Sequence, residues 1–149
     1  MAITMKTPTQ IYLGGPGYQL IDDLAASAAV TPGYLIERHN DSGVLKWRAH
    51  ATAGGAGAAA FALDRSEVNK GITDAYAAGD IVKAAIAAPG DVFYAILPSG
   101  QNITQGALLE SAGNGTLRVL NSGEAIAQAL ETVNNSAGPS TARIRVEAL

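Results

Sequence analysis

The feature that most constrains this chain is a recurring unit: a glycine turn followed by a short apolar strand. Ala78-Gly79-Asp80-Ile81-Val82 is echoed by Pro89-Gly90-Asp91-Val92-Phe93, each placing glycine-aspartate ahead of an apolar pair. A second echo links Thr31-Pro32-Gly33-Tyr34-Leu35-Ile36-Glu37 with Thr104-Gln105-Gly106-Ala107-Leu108-Leu109-Glu110. Strands that arrive about every 10 residues between turns are the rhythm of a β-sandwich or β-barrel. The chain is therefore read as mainly β, a small barrel- or sandwich-like domain.

Other segments fit this reading. Asp41-Ser42-Gly43 is a turn between two strand-like runs, residues 30–37 and 44–50, which together predict a hairpin. Asn114-Gly115, between Leu108-Leu109-Glu110 and Thr116-Leu117-Arg118-Val119-Leu120, predicts a second hairpin with positive φ at both central residues. Phe61-Ala62-Leu63-Asp64 reads as a short strand. Residues 51–60 form an alanine-glycine connection, and residues 65–75 a polar loop. Two helical pieces are expected. One is a short turn within residues 20–29. The other is a helix over residues 122–133, capped by Ser122, with Ile126, Leu130 and Val133 on one face at i, i+4 and i+7. Residues 141–149 alternate strictly and predict a last strand whose Arg143, Arg145 and Glu147 face water at a sheet edge.

Residues 1–24 differ from the rest. They are rich in threonine and lead through Ile11-Tyr12-Leu13 into Gly14-Gly15-Pro16-Gly17, which breaks any helix. We read them as an extended N-terminal arm and residues 25–149 as the β-rich domain. Thr4, Ile11, Tyr12, Leu13 and Tyr18 are the arm's candidate contacts, because apolar and aromatic anchors dominate protein interfaces. The alternative is that they cover the chain's own core.

Chemistry is sparse. There are no cysteines, which removes disulfides and thiolate chemistry. His39 and His50 lack partners at metal-ligand spacing and read as exposed strand-end residues, so no metal and no cofactor is expected. Asp22 and Asp23 are adjacent and make a poor acid–base pair. Asp80 and Asp91 sit where aspartate hydrogen-bonds a turn backbone. No Ser/His/Asp set and no phosphate loop is recognisable, and the chain is not expected to be an enzyme. A net charge of -3 argues against a nucleic-acid partner. No apolar run reaches the roughly 18 residues needed to span a bilayer, so no membrane partner is expected, and synthesis in a cytoplasm is.

The runs 78–82, 90–94, 103–109 and 115–120 resemble the decoration, or cement, proteins of tailed-bacteriophage capsids. Residues 30–36 are similar to the segment that opens the β-domain in those proteins, and the expected helix at 123–127 fits the family. The resemblance covers roughly residues 25–149. It implies a structural virion protein on the outer surface of the expanded head, a homotrimer that clamps neighbouring major capsid protein subunits. It also implies an arm, here residues 2–18, that adds a strand to the capsid protein. The alternative is another phage structural β-protein: tail tube, head-tail connector or fibre-associated. A small enzyme or sugar-binding barrel is a third class.

Overall fold

The computed structural model of the chain describes residues 6–149. Thirteen strands are β1 Tyr12–Gly14, β2 Gln19–Ile21, β3 Ile36–Asp41, β4 Val44–Ala49, β5 Ala60–Ala62, β6 Ala84–Ile86, β7 Val92–Leu97, β8 Asn102–Ile103, β9 Leu108–Ser111, β10 Leu117–Val119, β11 Ala127–Ala129, β12 Val133–Asn134 and β13 Ala142–Ala148. The fold is mainly β, as the turn rhythm predicts. The main sheet has the order β1-β7-β13-β11-β9-β10, a smaller sheet the order β2-β6-β5, and β3-β4 and β8-β12 are two-stranded. None of these sheets closes on itself, so the architecture is layered and the barrel alternative is set aside.

The layers follow from which side chains share a core. Ile11, Phe61, Phe93, Leu109, Ile144 and Val146 belong to one buried cluster. Val30, Ile36, Trp47, Tyr76 and Val82 belong to a second. Strand β5 contributes to both: Phe61 enters the first cluster, Ala60 and Ala62 the second. On β6, Ala85 faces the first cluster and Ala84 the second. The small sheet is thus a partition, with the main sheet on one side and the β3–β4 hairpin on the other. A strand covered on both faces shows no polar alternation, which explains the continuous apolar runs Ala60-Phe61-Ala62 and Ala84-Ala85-Ile86.

The first hairpin forms as expected. Its strands pair from Ile36↔Ala49 to Asp41↔Val44, and Ser42 and Gly43 both take positive φ, 54° and 90°. That is the two-residue geometry whose twist matches the flanking strands. In the second hairpin β9 pairs β10, but the positive-φ residues are Gly113 and Gly115, not an Asn-Gly pair. Asn114 Oδ1 instead accepts the Thr116 N–H at 3.3 Å.

Three expectations are corrected. The helix over residues 122–133 is not formed; the only helical turn among the described residues is 3-10, Ser66–Val68. Residues 127–129 are a strand bonded on both sides, to β13 and to β9. Ala127 and Ala129 are buried there and Gln128 faces out, a period of two that outweighs the coincidental spacing of Ile126, Leu130 and Val133. The helical turn within residues 20–29 is likewise extended, as β2 and the bridges Ala25↔Ile81 and Ala26↔Trp47. Finally, β13 is interior to the main sheet, not an edge, because alternation reports two unlike faces and says nothing of neighbours.

Loop 65–75 is pinned by stacking. The Arg65 guanidinium lies 4.0 Å from the Tyr76 ring centroid, and Tyr76 Oη donates to the Leu63 carbonyl at 2.7 Å. Burial pushes the Tyr76 phenol up to about 12, against about 10 for a free tyrosine. A phenol that ionises later in the folded state than in the unfolded one stabilises the fold fully below pH ~10, and that contribution is lost as pH rises towards 12. Alkaline unfolding of the wild type should therefore steepen between pH ~10 and 12, and Tyr76→Phe should flatten that slope while lowering stability at pH 7 by about 1 kcal/mol. Urea denaturation across this pH range measures both.

The strand assignment at 127–129 makes a sharper test. Ala129→Glu would bury an unpaired charge and should cost more than about 3 kcal/mol, whereas Gln128→Glu should change stability by less than about 0.5 kcal/mol. A helix with Ile126, Leu130 and Val133 inward would not separate the two in this way.

Candidate interaction surface

The segment expected as an arm is built into the domain from Ile11 onward, which corrects the boundary at residue 24. Ile11 is fully buried, and its amide donates to Asp64 Oδ1 at 2.9 Å. Strand β1 then pairs β7 at Tyr12↔Phe93 and Gly14↔Val92, and β2 pairs β6. The join is the Asp91 carboxylate, which has no exposed surface. Its Oδ2 accepts the Ala88 N–H at 2.8 Å, the turn bond the sequence predicts. Its Oδ1 accepts the Tyr12 hydroxyl at 3.0 Å and the Gly17 N–H at 2.9 Å. Gly15 is required here: at φ 138° a Cβ would sit 2.6 Å from Asp91 Cα. Burial first, and the Asp91 bond second, push the Tyr12 phenol up.

The candidate contact residues therefore divide. Thr4 lies outside the described residues. Ile11 is in the core. Tyr12 and Tyr18 meet edge to face with centroids 4.6 Å apart, and Tyr12 leans on Phe93 at 5.5 Å. These three side chains come together against the chain's own core, the alternative that the sequence leaves open for them. Leu13 is set apart from them and lines a groove of about 430 Å³ with Val92, Arg145 and residues 6–10.

That groove lies on the outer face of the main sheet. One row crosses five strands, from Leu108 through Gln128, Glu147 and Val92 to Gly14. Beside it, Arg145 forms an ion pair with Glu131 and donates to the Lys6 carbonyl at 2.7 Å, fastening the segment that leads into β1. Arg143 and Arg145 flank the Tyr94 ring at 5.7 and 6.0 Å. A mixed face of aliphatic, aromatic and guanidinium groups is the composition protein interfaces favour.

The histidines have structural partners. His39 Nε2 is 2.8 Å from Ser27 Oγ. His50 is buried, which corrects the expectation that it is exposed: Nδ1 lies 2.7 Å from Ser111 Oγ, and Nε2 lies 3.7 Å from Glu37 Oε2. Sequence reading missed this Ser–His–Glu set because its members are joined only by the fold. Ser111 has no exposed surface, so no substrate can approach its hydroxyl as the structure stands. Among the described residues no three His, Asp or Glu side chains converge as a metal site needs. Asp80 Oδ2 accepts the Ala77 N–H at 2.9 Å, as its turn position predicts.

No family model matches the sequence, and no curated protein matches it. Among solved structures, the N base of head fiber gp8.5 of bacteriophage phi29 is similar, with a TM-score of 0.58, over 88% of this chain and 95% of that one. Identity is 12%, so the likeness is one of fold.

Asp91→Ala would strand three donors. It should destabilise the chain by about 2–4 kcal/mol and make residues 6–18 susceptible to proteolysis, with the cleavage sites read by mass spectrometry. Unchanged protection of that segment would show that Asp91 does not hold it.

Proposed function

We propose that this chain is a structural protein of a tailed-phage virion, seated on the outer surface of the head and made in the host cytoplasm. The observation that carries the reading is the fold likeness over nearly the whole of both chains to a base module of a phage head fiber. The sequence resemblance to decoration proteins supports it independently. In its finer form the chain binds the major capsid protein of the expanded head as a homotrimer and holds neighbouring subunits together. Many weak copies on one lattice then act jointly.

The integration of Ile11 and β1 into the domain restricts how this happens. Strand addition to the capsid protein falls to residues 2–10, ahead of the buried Ile11. The outer face of the main sheet, with Leu13, Val92 and Leu108, supplies the broader contact. A second reading, that the chain is the base of a fibre, is favoured by the name of the phi29 neighbour.

Co-sedimentation with expanded, undecorated heads, against unexpanded procapsids, tests the proposal. Saturable binding to expanded heads alone is expected. Deleting residues 2–10 should weaken it about tenfold or more while leaving the melting temperature nearly unchanged, because none of residues 6–10 is buried. Deleting residues 2–18 should unfold the domain. Absence of binding to either particle would overturn the head-seated reading, in its clamping and its fibre-base form alike.

A further inference from the structure

A second recess, of about 140 Å³, opens where the N-terminal segment crosses the end of β5. Tyr12 and Tyr18 form one wall, and Asp64, Ser66 and Lys83 the other. Asp64 is only 7% exposed. One of its oxygens, Oδ1, accepts the Ile11 amide. The other, Oδ2, has no hydrogen-bond partner among the described residues, yet it is not sealed from solvent as the enclosed, unpartnered Glu110 Oε2 is. A carboxylate buried to this degree is costly unless something cationic or hydrogen-bonding meets it.

The nearby cations do not meet it. Lys83 Nζ is bound to Glu67 Oε2 at 3.2 Å. Arg65, the next residue in the chain, is turned away to stack on Tyr76 and lies 3.6 Å from Asp80. Asp64 and Lys83 are the two charged groups lining the recess. With the Lys83 ammonium engaged by Glu67, the Asp64 carboxylate is left without an ion-pair partner among the described residues, so it favours a cationic guest. The aromatic wall suits the same sign of guest, since a cation is attracted to the face of a tyrosine ring. The room available is that of one side chain.

We propose that this recess seats one basic side chain, arginine or lysine, of a protein partner, with its cationic head on Asp64 Oδ2 and its stem along Tyr18. This deepens the head-binding reading and rests on it only for the identity of the partner. The site escapes sequence inspection because Asp64 and the two tyrosines are brought together by pairing across 53 residues.

Amide NMR of the full chain, titrated with N-acetyl-arginine amide, tests the site. Saturable shifts of the Ile11, Tyr18 and Asp64 amides are expected. The neutral isostere N-acetyl-citrulline amide should bind about tenfold more weakly, as loss of a charge-assisted bond predicts. Asp64→Asn keeps the acceptor for the Ile11 amide and should weaken arginine-probe binding by a similar factor, with the rest of the spectrum unchanged. Should that variant fail to fold, Tyr18→Leu serves in its place, with the same loss expected. No saturable shift, or equal binding of the citrulline probe, would overturn the proposal. Clear preference for spermidine over the arginine probe would reassign the site to a free polyamine and overturn a protein side chain as its occupant. Because the probe is free in solution, failure of co-sedimentation with heads leaves this test standing, and failure of this test leaves the head reading standing.

Discussion

Strands β5 and β6 of the small sheet are packed on both faces, and the rest of the molecule is arranged around that constraint. Packing side chains on each side of a three-residue strand leaves little room, which alanine meets at positions 60, 62, 84 and 85. The single large residue on β5, Phe61, stacks on Phe93 at 4.6 Å and couples the partition to the main sheet. On the other side Trp47 and Tyr76 are the largest buried side chains. A chain with few aromatic residues therefore places its four fully buried ones, Phe61, Phe93, Trp47 and Tyr76, at the two interfaces of one thin layer.

The main sheet is assembled almost wholly from distant pieces. Its longest ladder joins β7 and β13 through six pairs, from Ala142↔Leu97 to Glu147↔Val92. On one side of that ladder lies β1, and on the other β11. Because β1 closes the edge next to β7, the Asp91 carboxylate matters beyond its own turn. It fixes the start of β7 and the exit of β1 with one buried group, so the glycine-rich bend at residues 14–17 is held rather than loose.

How much of this was legible depended on whether a signal was local. The hairpin of β3 and β4 was readable because alternation and the Ser42-Gly43 turn lie within one short stretch. The aspartates at 80 and 91 were readable as turn residues for the same reason, but the bonds from Tyr12 and Gly17 to Asp91 were not. The strand at 127–129 was misread because Ile126, Leu130 and Val133 fall at helical spacing, while the two-sided pairing that overrides this comes from β9 and β13. The strand expected at residues 61–64 forms at Ala60–Ala62, where burial on both faces leaves no alternation to mark its ends. The arm was misjudged from Ile11 onward because composition cannot tell an apolar segment that anchors a partner from one that completes its own core.

That last ambiguity has a structural resolution with consequences for any partner. With Ile11 and Tyr12 engaged internally, the layers leave two unlike ends. One is the outer face of the main sheet, broad and mixed, with guanidinium groups flanking Tyr94. The other is the β3–β4 hairpin, whose tip exposes Val44 and Leu45 at 56% and 50%. The broad face can support an extended contact, because its cross-strand row is fixed by ladder register on five strands. The hairpin belongs to no larger sheet and is braced by the Arg38 guanidinium over Trp47 at 5.0 Å and the bridge to Ala26. A rigid face and a narrower, independently braced prong differ in the partner shapes they fit, so the two ends of this fold are suited to different neighbours.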